Sequence, residues 1–180
     1  AKRDLLGGLT MSEQSTLEPP VNPRGGRTLV VDSHHPTDYP RPSAALKDAG
    51  PDDQVFVRPG IYEDKIFIAS RPIRLVGAGK DQVQIFSRRS GPIYLQQVPE
   101  GLISGITFRY IGSDPHSAMN VLDSTCTITA CRITEGILSG IVIYGPESQS
   151  TLVDNEVCNN RESGIFAFAG ARPYIAKNLC

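Results

Sequence analysis

A repeat of 23 to 25 residues in the second half of the chain constrains the fold more than any other feature. The triplet Ser139-Gly140-Ile141 returns 24 residues later as Ser163-Gly164-Ile165. Segment 127–133 (TITACRI) is matched by 151–157 (TLVDNEV), by 174–180 (YIAKNLC) and, going backward, by 102–108 (LISGITF). Such a period, with two or three short strands per repeat, is typical of a solenoid, because one repeat cannot bury its apolar side chains alone.

Stacking these repeats in register predicts which side chains share a column. Successive rungs of parallel strands lie about 4.8 Å apart, so equivalent residues lie above one another. One inward column contains Ile103, Ile128, Leu152 and Ile175, and a second contains Phe108, Ile133, Val157 and Cys180. A third contains Ile106, Cys131, Asn155 and Asn178, where we expect the two asparagines to form a structural ladder at a corner.

The first half of the chain predicts the beginning of the same coil. Segment 28–32 indicates a first strand, and Ser43 precedes a short helix up to Ala49, for which it is a plausible N-cap. Further strands are predicted at 54–58, 65–68, 73–76 and 83–86. Residues 1–27 contain no aromatic residue and no Ile, which indicates a linker or extended arm before a single domain at 28–180.

Two stretches carry a resemblance to a known superfamily. Pro59-Gly60, Tyr62-Glu63 and the later Leu75, Gly77 and Gly79 resemble the opening of pectinesterase-like and carbohydrate-binding/sugar-hydrolase domains. Ser139-Gly140-Ile141 and the later segment 154–178 resemble repeats of F-box substrate receptors and of nitrous-oxidase accessory proteins. The resemblance covers about Leu29 to Cys180. It implies an all-β fold, a single-stranded right-handed parallel β-helix (pectin-lyase-like) with a short N-terminal capping helix.

Composition excludes several classes of partner. The net charge of −1 gives no basic excess for binding nucleic acid, and no apolar run is long enough for a membrane helix. We therefore expect no nucleic-acid partner and no membrane partner. The N-terminus lacks the apolar core of a signal peptide, which favours an intracellular location unless such a peptide was removed. Cys126, Cys131, Cys158 and Cys180 are expected to be free thiols, mostly buried.

The residues that the superfamily's enzymes use are not evident in this sequence. Hydrolases need a carboxylate pair, and we expect Asp123, Glu135, Asp154 and Glu156 to lie scattered over different corners. We assign no catalytic residue, no metal ligand and no cofactor. The sequence thus favours a non-catalytic binding module; the alternative is a carbohydrate-active enzyme, a pectin-type lyase or esterase, or a fragment of one. Three carboxylates converging on one outer face would favour the enzyme.

An aromatic outer face is the candidate binding surface. Alternate residues face outward in the strands that follow Ser139-Gly140 and Ser163-Gly164, and in the equivalent earlier strands 93–96 and 119–122. Stacking these strands predicts one contiguous face containing Tyr94, Asn120, Tyr144, Phe166 and Phe168. An exposed stripe with four aromatic rings and few charges is unusual for a soluble surface. It suits a protein or polysaccharide ligand, unless a loop such as the one around Asp114, or the N-terminal arm, covers it.

The last rung leads to an expectation about assembly. The chain stops at Cys180 within a repeat, which suggests a β-helix truncated at its C-terminal end. An uncovered rung exposes strand donors, acceptors and apolar core. End-to-end stacking of two coils through Ile175 to Cys180 would cover it and give a homodimer.

Overall fold

The chain folds into a parallel β-solenoid of about six turns, in which successive turns add strands to three sheets. The computed structural model describes residues 17–35 and 38–180. The A sheet comprises, in spatial order, β1 (Thr28–Val31), β2 (Gln54–Val57), β5 (Ile73–Gly77), β8 (Gly101–Ser104), β11 (Cys126–Thr129), β14 (Thr151–Val153) and β17 (Tyr174–Ala176). The B sheet comprises β3 (Gly60–Glu63), β6 (Val83–Ser87), β9 (Thr107–Tyr110), β12 (Arg132–Thr134) and β15 (Glu156–Cys158). The C sheet comprises β4 (Ile66–Ala69), β7 (Ile93–Gln96), β10 (Met119–Leu122), β13 (Ile141–Tyr144) and β16 (Ile165–Phe168).

The predicted register is confirmed. Ile128 pairs with Ile103 on one side and with Leu152 on the other, and Leu152 pairs with Ile175. The first three are fully buried in one continuous core, whereas Ile175 on the last described rung is exposed. The exposed Ile175 and Leu179 leave apolar surface at this end, and the homodimer stays a prediction.

Single residues with left-handed backbone make the corner between the A and B strands. Gly105, Ala130, Asp154 and Lys177 occupy this corner on four successive rungs, with φ values of 70°, 52°, 56° and 54°. Only one of the four is glycine, although this region costs other residues about 1–2 kcal/mol. Inter-strand pairing on both sides of the corner therefore has to impose the conformation.

The first Ser-Gly-Ile triplet has a packing reason for its glycine. A Cβ on Gly140 would lie 2.6 Å from Cγ1 of Val157 and 2.8 Å from the carbonyl oxygen of Gly164. The chain therefore enters the C strand so close to the neighbouring rung that only glycine fits at this point.

Asn155 and Asn178 lie one residue after this corner on neighbouring rungs and form a hydrogen-bonded ladder, as predicted. The buried Asn155 side chain accepts a hydrogen bond from the backbone N–H of Cys131 (3.1 Å) and donates to the carbonyl oxygen of Ile128 (2.8 Å). Its Nδ2 also donates to Oδ1 of Asn178 (2.9 Å). The side chain thereby satisfies backbone groups that the corner removes from the strand ladders.

One short helix covers the first turn of the coil. Helix α1 (Pro42–Asp48) packs Ala45 and Leu46 into the core. Ser43 is not its N-cap: Arg41 occupies that position without a side-chain bond, and the N–H of Ser43 donates to Oδ2 of Asp64 (2.7 Å). A carboxylate from the first coil turn thus satisfies a donor at the helix start.

Residues 60–63, for which the sequence predicts no strand, form one in the structure. Gly60–Glu63 forms β3 and pairs with β6. Tyr62 is the reason: its ring is buried, and its hydroxyl donates to the carbonyl oxygen of Arg58 (3.0 Å). An inward tyrosine flanked by exposed residues has the alternation of a strand.

Residues 17–27 lie against the coil. Asn22 is largely buried and donates to the carbonyl oxygen of Asp52 (2.8 Å), while Gln54 donates to that of Pro20 (2.8 Å). Arg27 pairs with Asp53 at 2.6 Å. Residues 1–16 of the predicted linker or arm lie outside the described residues.

All four cysteines are free thiols, as predicted, but only two of them are buried. Cys126 and Cys131 are buried, Cys158 is half-buried and Cys180 is exposed. Burial raises the pKa of both buried thiols to about 12, so they stay protonated and pack as small apolar groups. Within 17–35 and 38–180 we find no helix long and apolar enough to cross a membrane.

The outer face of the B sheet carries ion pairs between rungs. Arg132 contacts Asp81 and Glu156, each at 2.9 Å, and Lys80 contacts Glu156 at 3.3 Å. Hydrogen bonding from Arg132 is the main reason that the pKa of Glu156 lies at about 2. Glu156 is therefore fully ionised at neutral pH and stabilises the stacking of three rungs.

We predict that replacing Asn155 with Ala destabilises the protein by about 2–4 kcal/mol, because a buried N–H and a buried carbonyl lose their partners. Chemical denaturation measures the free energy of unfolding. The matched control is Gln149→Ala, which truncates an exposed amide that makes no side-chain hydrogen bond within the described residues. Equal losses for the two variants would contradict a structural ladder.

We also predict that Glu156 makes stability depend on pH between about 4.5 and 2. The folded state lowers the pKa of this carboxyl, so its contribution is present above pH 4.5 and is lost as pH falls toward 2. Urea unfolding of the wild type and of Glu156→Gln, compared at pH 6 and pH 3, measures the effect. Between pH 6 and pH 3 the variant should lose less of its free energy of unfolding than the wild type does. Equal losses would contradict the role of Glu156 in the pH dependence.

Candidate functional site

The candidate site lies on the outer face of the C sheet. Its strands place Ile141 and Ile143 in the core, so that Val142 and Tyr144 between and after them face outward. The same alternation recurs in β7 and β10. Parallel pairing aligns the outward residues into two columns: Phe67, Tyr94, Asn120, Val142 and Phe166; and Ala69, Gln96, Leu122, Tyr144 and Phe168.

Three phenylalanines on this face are substantially open to solvent. The exposed fractions are 56% for Phe67, 48% for Phe166 and 44% for Phe168. Phe168 stacks on Tyr144 with ring centres 5.3 Å apart and on Phe166 at 5.1 Å, while Phe67 lies 5.6 Å from Tyr94. The rings thus support one another from the side and leave part of their area uncovered.

Two tyrosines join the halves of this aromatic face. The hydroxyls of Tyr94 and Tyr144 lie 2.6 Å apart although a full rung separates their strands. Burial, helped by this hydrogen bond, raises the pKa of Tyr144 to about 12. Tyr144 is therefore neutral at ordinary pH, and the hydrogen bond holds the two rings together across the middle rung.

Two adjoining cavities form a groove along this face. One, of about 370 Å³, lies beside Phe67 and Tyr94, and the other, of about 340 Å³, lies beside Tyr144, Phe166 and Phe168. His116 and Asn120 line both cavities. We call this continuous surface the aromatic groove.

Polar groups in the aromatic groove are available to a ligand. The side-chain amides of Gln96 and Asn120 make no hydrogen bond within the described part of the chain, and the same holds for the ring nitrogens of His116. The His116 ring stands edge-on to Tyr110 at 5.6 Å. Because an amide both donates and accepts, the groove offers matched partners for hydroxyl groups.

The structure brings together all five residues that the sequence singled out for this face. Tyr94, Asn120, Tyr144, Phe166 and Phe168 line the aromatic groove. The loop around Asp114 contributes His116 to the groove wall and leaves Phe166 and Phe168 exposed. Whether these residues bind a ligand stays a prediction.

Phe67 was missed by the sequence analysis, although a signal for it was present. It pairs with Tyr94 and extends the first column by one rung. Ile66-Phe67-Ile68 repeats the apolar–aromatic–apolar triplet Ile93-Tyr94-Leu95, but at a spacing of 27 residues. This spacing is longer than the 23 to 25 residues of the later repeats, so aligning those repeats does not place Phe67 with Tyr94.

The B sheet carries a different kind of cavity, of about 390 Å³. The expected scatter of acidic residues is wrong for Glu135 and Glu156, which line this cavity together with Asp81. All three are ion-paired: Glu135 with Arg109, and the other two with Arg132. Parallel pairing of β12 with β15 brings Glu135, after the end of one strand, near Glu156, at the start of the next, and Arg132 contacts both Glu156 and Asp81. Among residues 17–35 and 38–180, no cluster of His, Cys, Asp and Glu is suited to hold a metal ion.

The comparison with known families agrees with the architecture. A family model described as a right handed beta helix region matches residues 79–180. No curated protein and no solved structure matches the chain significantly. The matched residues form more than half of the chain and include the repeats that build the C-terminal part of the aromatic groove. The chain therefore belongs to the right-handed β-helix family.

Proposed function

We propose that the protein is a non-catalytic binding module whose aromatic groove holds a saccharide chain. The observation that carries the proposal is the combination of open aromatic rings with unpartnered amides along one groove. Ring faces present apolar area with little loss of conformational entropy, and amides pair with hydroxyls. A saccharide offers both an apolar ring face and a dense set of hydroxyls.

The shape of the groove favours a chain-like ligand over a globular protein. The two cavities continue one another along the coil axis and share His116 and Asn120. A protein interface of ordinary size buries about 800 Å² per partner and has an apolar centre. The centre of this groove is polar, with Asn120 and His116 between two aromatic ends, which suits a ligand that hydrogen-bonds along its length.

We predict that Phe166→Ala weakens saccharide binding about tenfold or more, since exposed aromatic anchors dominate such contacts. An array of immobilised neutral and acidic polysaccharides identifies the strongest ligand, and calorimetry then gives Kd for the wild type and the variant. The matched control is Ile61→Ala, which truncates a side chain 70% exposed on the B sheet. It should bind as the wild type does.

Two outcomes would overturn the saccharide proposal. One is a wild-type protein that retains no saccharide on the array. The other is an unchanged Kd for Phe166→Ala, which would place binding elsewhere on the coil. Denaturation of the same variant separates binding from folding, because we expect truncation of this half-exposed ring to cost no more than about 1 kcal/mol.

The second candidate is a carbohydrate-active enzyme at the B-sheet cavity. The convergence of Asp81, Glu135 and Glu156 favours it. Against it, the low pKa of Glu156 leaves no proton to donate near neutral pH, and each carboxylate is held in an ion pair. Incubation of the wild type with pectin should release neither new reducing ends nor unsaturated products, and their release would favour the enzyme.

A further inference from the structure

Three basic side chains stand at one end of the aromatic groove. Lys47 at the end of α1, Lys65 before β4 and Arg71 after β4 line a cavity of about 280 Å³. Lys65 and Phe67 line both this cavity and the neighbouring part of the aromatic groove, so the two spaces are continuous. We call the smaller space the basic cleft.

None of these three cations has a carboxylate partner within the described residues. The ion pairs of the chain involve other basic residues, such as Arg27, Arg58 and Arg132. Two acids adjoin the lysines in sequence: Asp48 accepts a hydrogen bond from the Tyr39 hydroxyl, and the buried Asp64 accepts hydrogen bonds from the backbone N–H groups of Ser43 and Lys65. The basic cleft therefore keeps a local positive charge, which attracts an anion.

Arg71 is fixed in place before any ligand arrives. Its guanidinium donates to the carbonyl oxygens of Leu46 (2.6 Å) and Ala49 (3.1 Å) at the end of α1. These bonds satisfy carbonyls that the helix end leaves unpaired, and they hold the charge beside Phe67. An anion binding here meets one immobilised cation and two lysines on flexible stems.

The opposite end of the groove has the opposite charge. Glu162 lines the cavity beside Phe166 and Phe168, and it has no cationic partner within residues 17–35 and 38–180. A polymer with an acid on every residue would meet repulsion there. A saccharide that is neutral along most of its length and acidic at one end can place its acid in the basic cleft and a neutral residue beside Glu162.

We infer that the groove binds a neutral saccharide chain whose one terminal residue carries a carboxylate or sulfate, and that this group enters the basic cleft. The inference rests on the proposed function for the neutral part of the ligand. It adds the chemical class of the terminal residue and the direction in which the chain lies along the coil. Lys47 and Lys65 are specificity-determining residues in this account, and the aromatic rings provide the contact area.

The first experiment tests the basic cleft without any saccharide chain. Sodium sulfate and sodium glucuronate are titrated at constant ionic strength into the ¹⁵N-labelled full chain, and amide shifts are followed by NMR. We expect saturable shifts at residues 46–47 and 65–71 for one or both anions, and their loss in the double variant Lys47→Gln, Lys65→Gln. Lys177→Gln, which removes an exposed lysine at the far end of the coil, is the matched control. Shifts that are no larger at Lys65 than at Lys177 would overturn the inference.

The second experiment tests specificity with matched pairs of oligosaccharides that differ only in a terminal acidic residue. The wild type should prefer the acidic member, and carboxylate and sulfate versions distinguish the two anions. The double lysine variant should lose about three- to tenfold affinity for the acidic member and none for the neutral one. Equal affinity of the wild type for both members would overturn the inference even where Phe166→Ala abolishes binding. If the wild type binds neither member of a pair, the proposed function is contradicted. The anion titration of the first experiment then tests by itself whether the basic cleft binds an anion.

Discussion

The in-register stacking of parallel strands is the interaction on which the rest of this structure depends. Each rung hydrogen-bonds to the rungs above and below, so a residue at one position of the repeat is carried into a column along the coil. The corner residues show how strongly the stacking dominates. Ala130 and Asp154 accept an unfavourable left-handed backbone because the strands on both sides are fixed by their neighbours. Asn155 then satisfies the groups that the corner leaves unpaired.

The same stacking gives the outer faces of the B and C sheets different chemistry. On the B sheet it aligns opposite charges, so that Arg132 contacts acids from two other rungs. The charges on this face are therefore paired within the protein. On the C sheet it aligns aromatic rings and amides, and these have fewer partners within the protein. A surface whose charges pair internally contributes to stability, whereas open rings beside unpartnered amides leave interactions for a ligand. This difference is why we place the binding function on the C sheet.

Much of this arrangement could be predicted from the sequence, because the repeat length determines which residues pair between neighbouring strands. The inward column through Ile128 and the five residues of the predicted outer face follow directly from aligning the repeats. The first turns were harder to predict, since their spacing differs from the later period, and both β3 and Phe67 were missed there. The basic cleft could not be predicted either, because α1 is outside the repeat and only the folded chain shows that Lys47 lies beside Lys65. The convergence of Glu135 and Glu156 was missed because the two acids belong to different strands at different places in the repeat.

We propose that the aromatic groove is open in the free protein and becomes covered when it binds its ligand. The chain contains no tryptophan, so Phe166→Trp introduces a single fluorescent reporter into the groove. In the free variant we expect emission typical of a solvated indole and efficient quenching by acrylamide. Adding the saccharide selected by the array should shift the emission to the blue and reduce the quenching. Blue, unquenchable emission in the free protein, or emission that no bound saccharide changes, would contradict it.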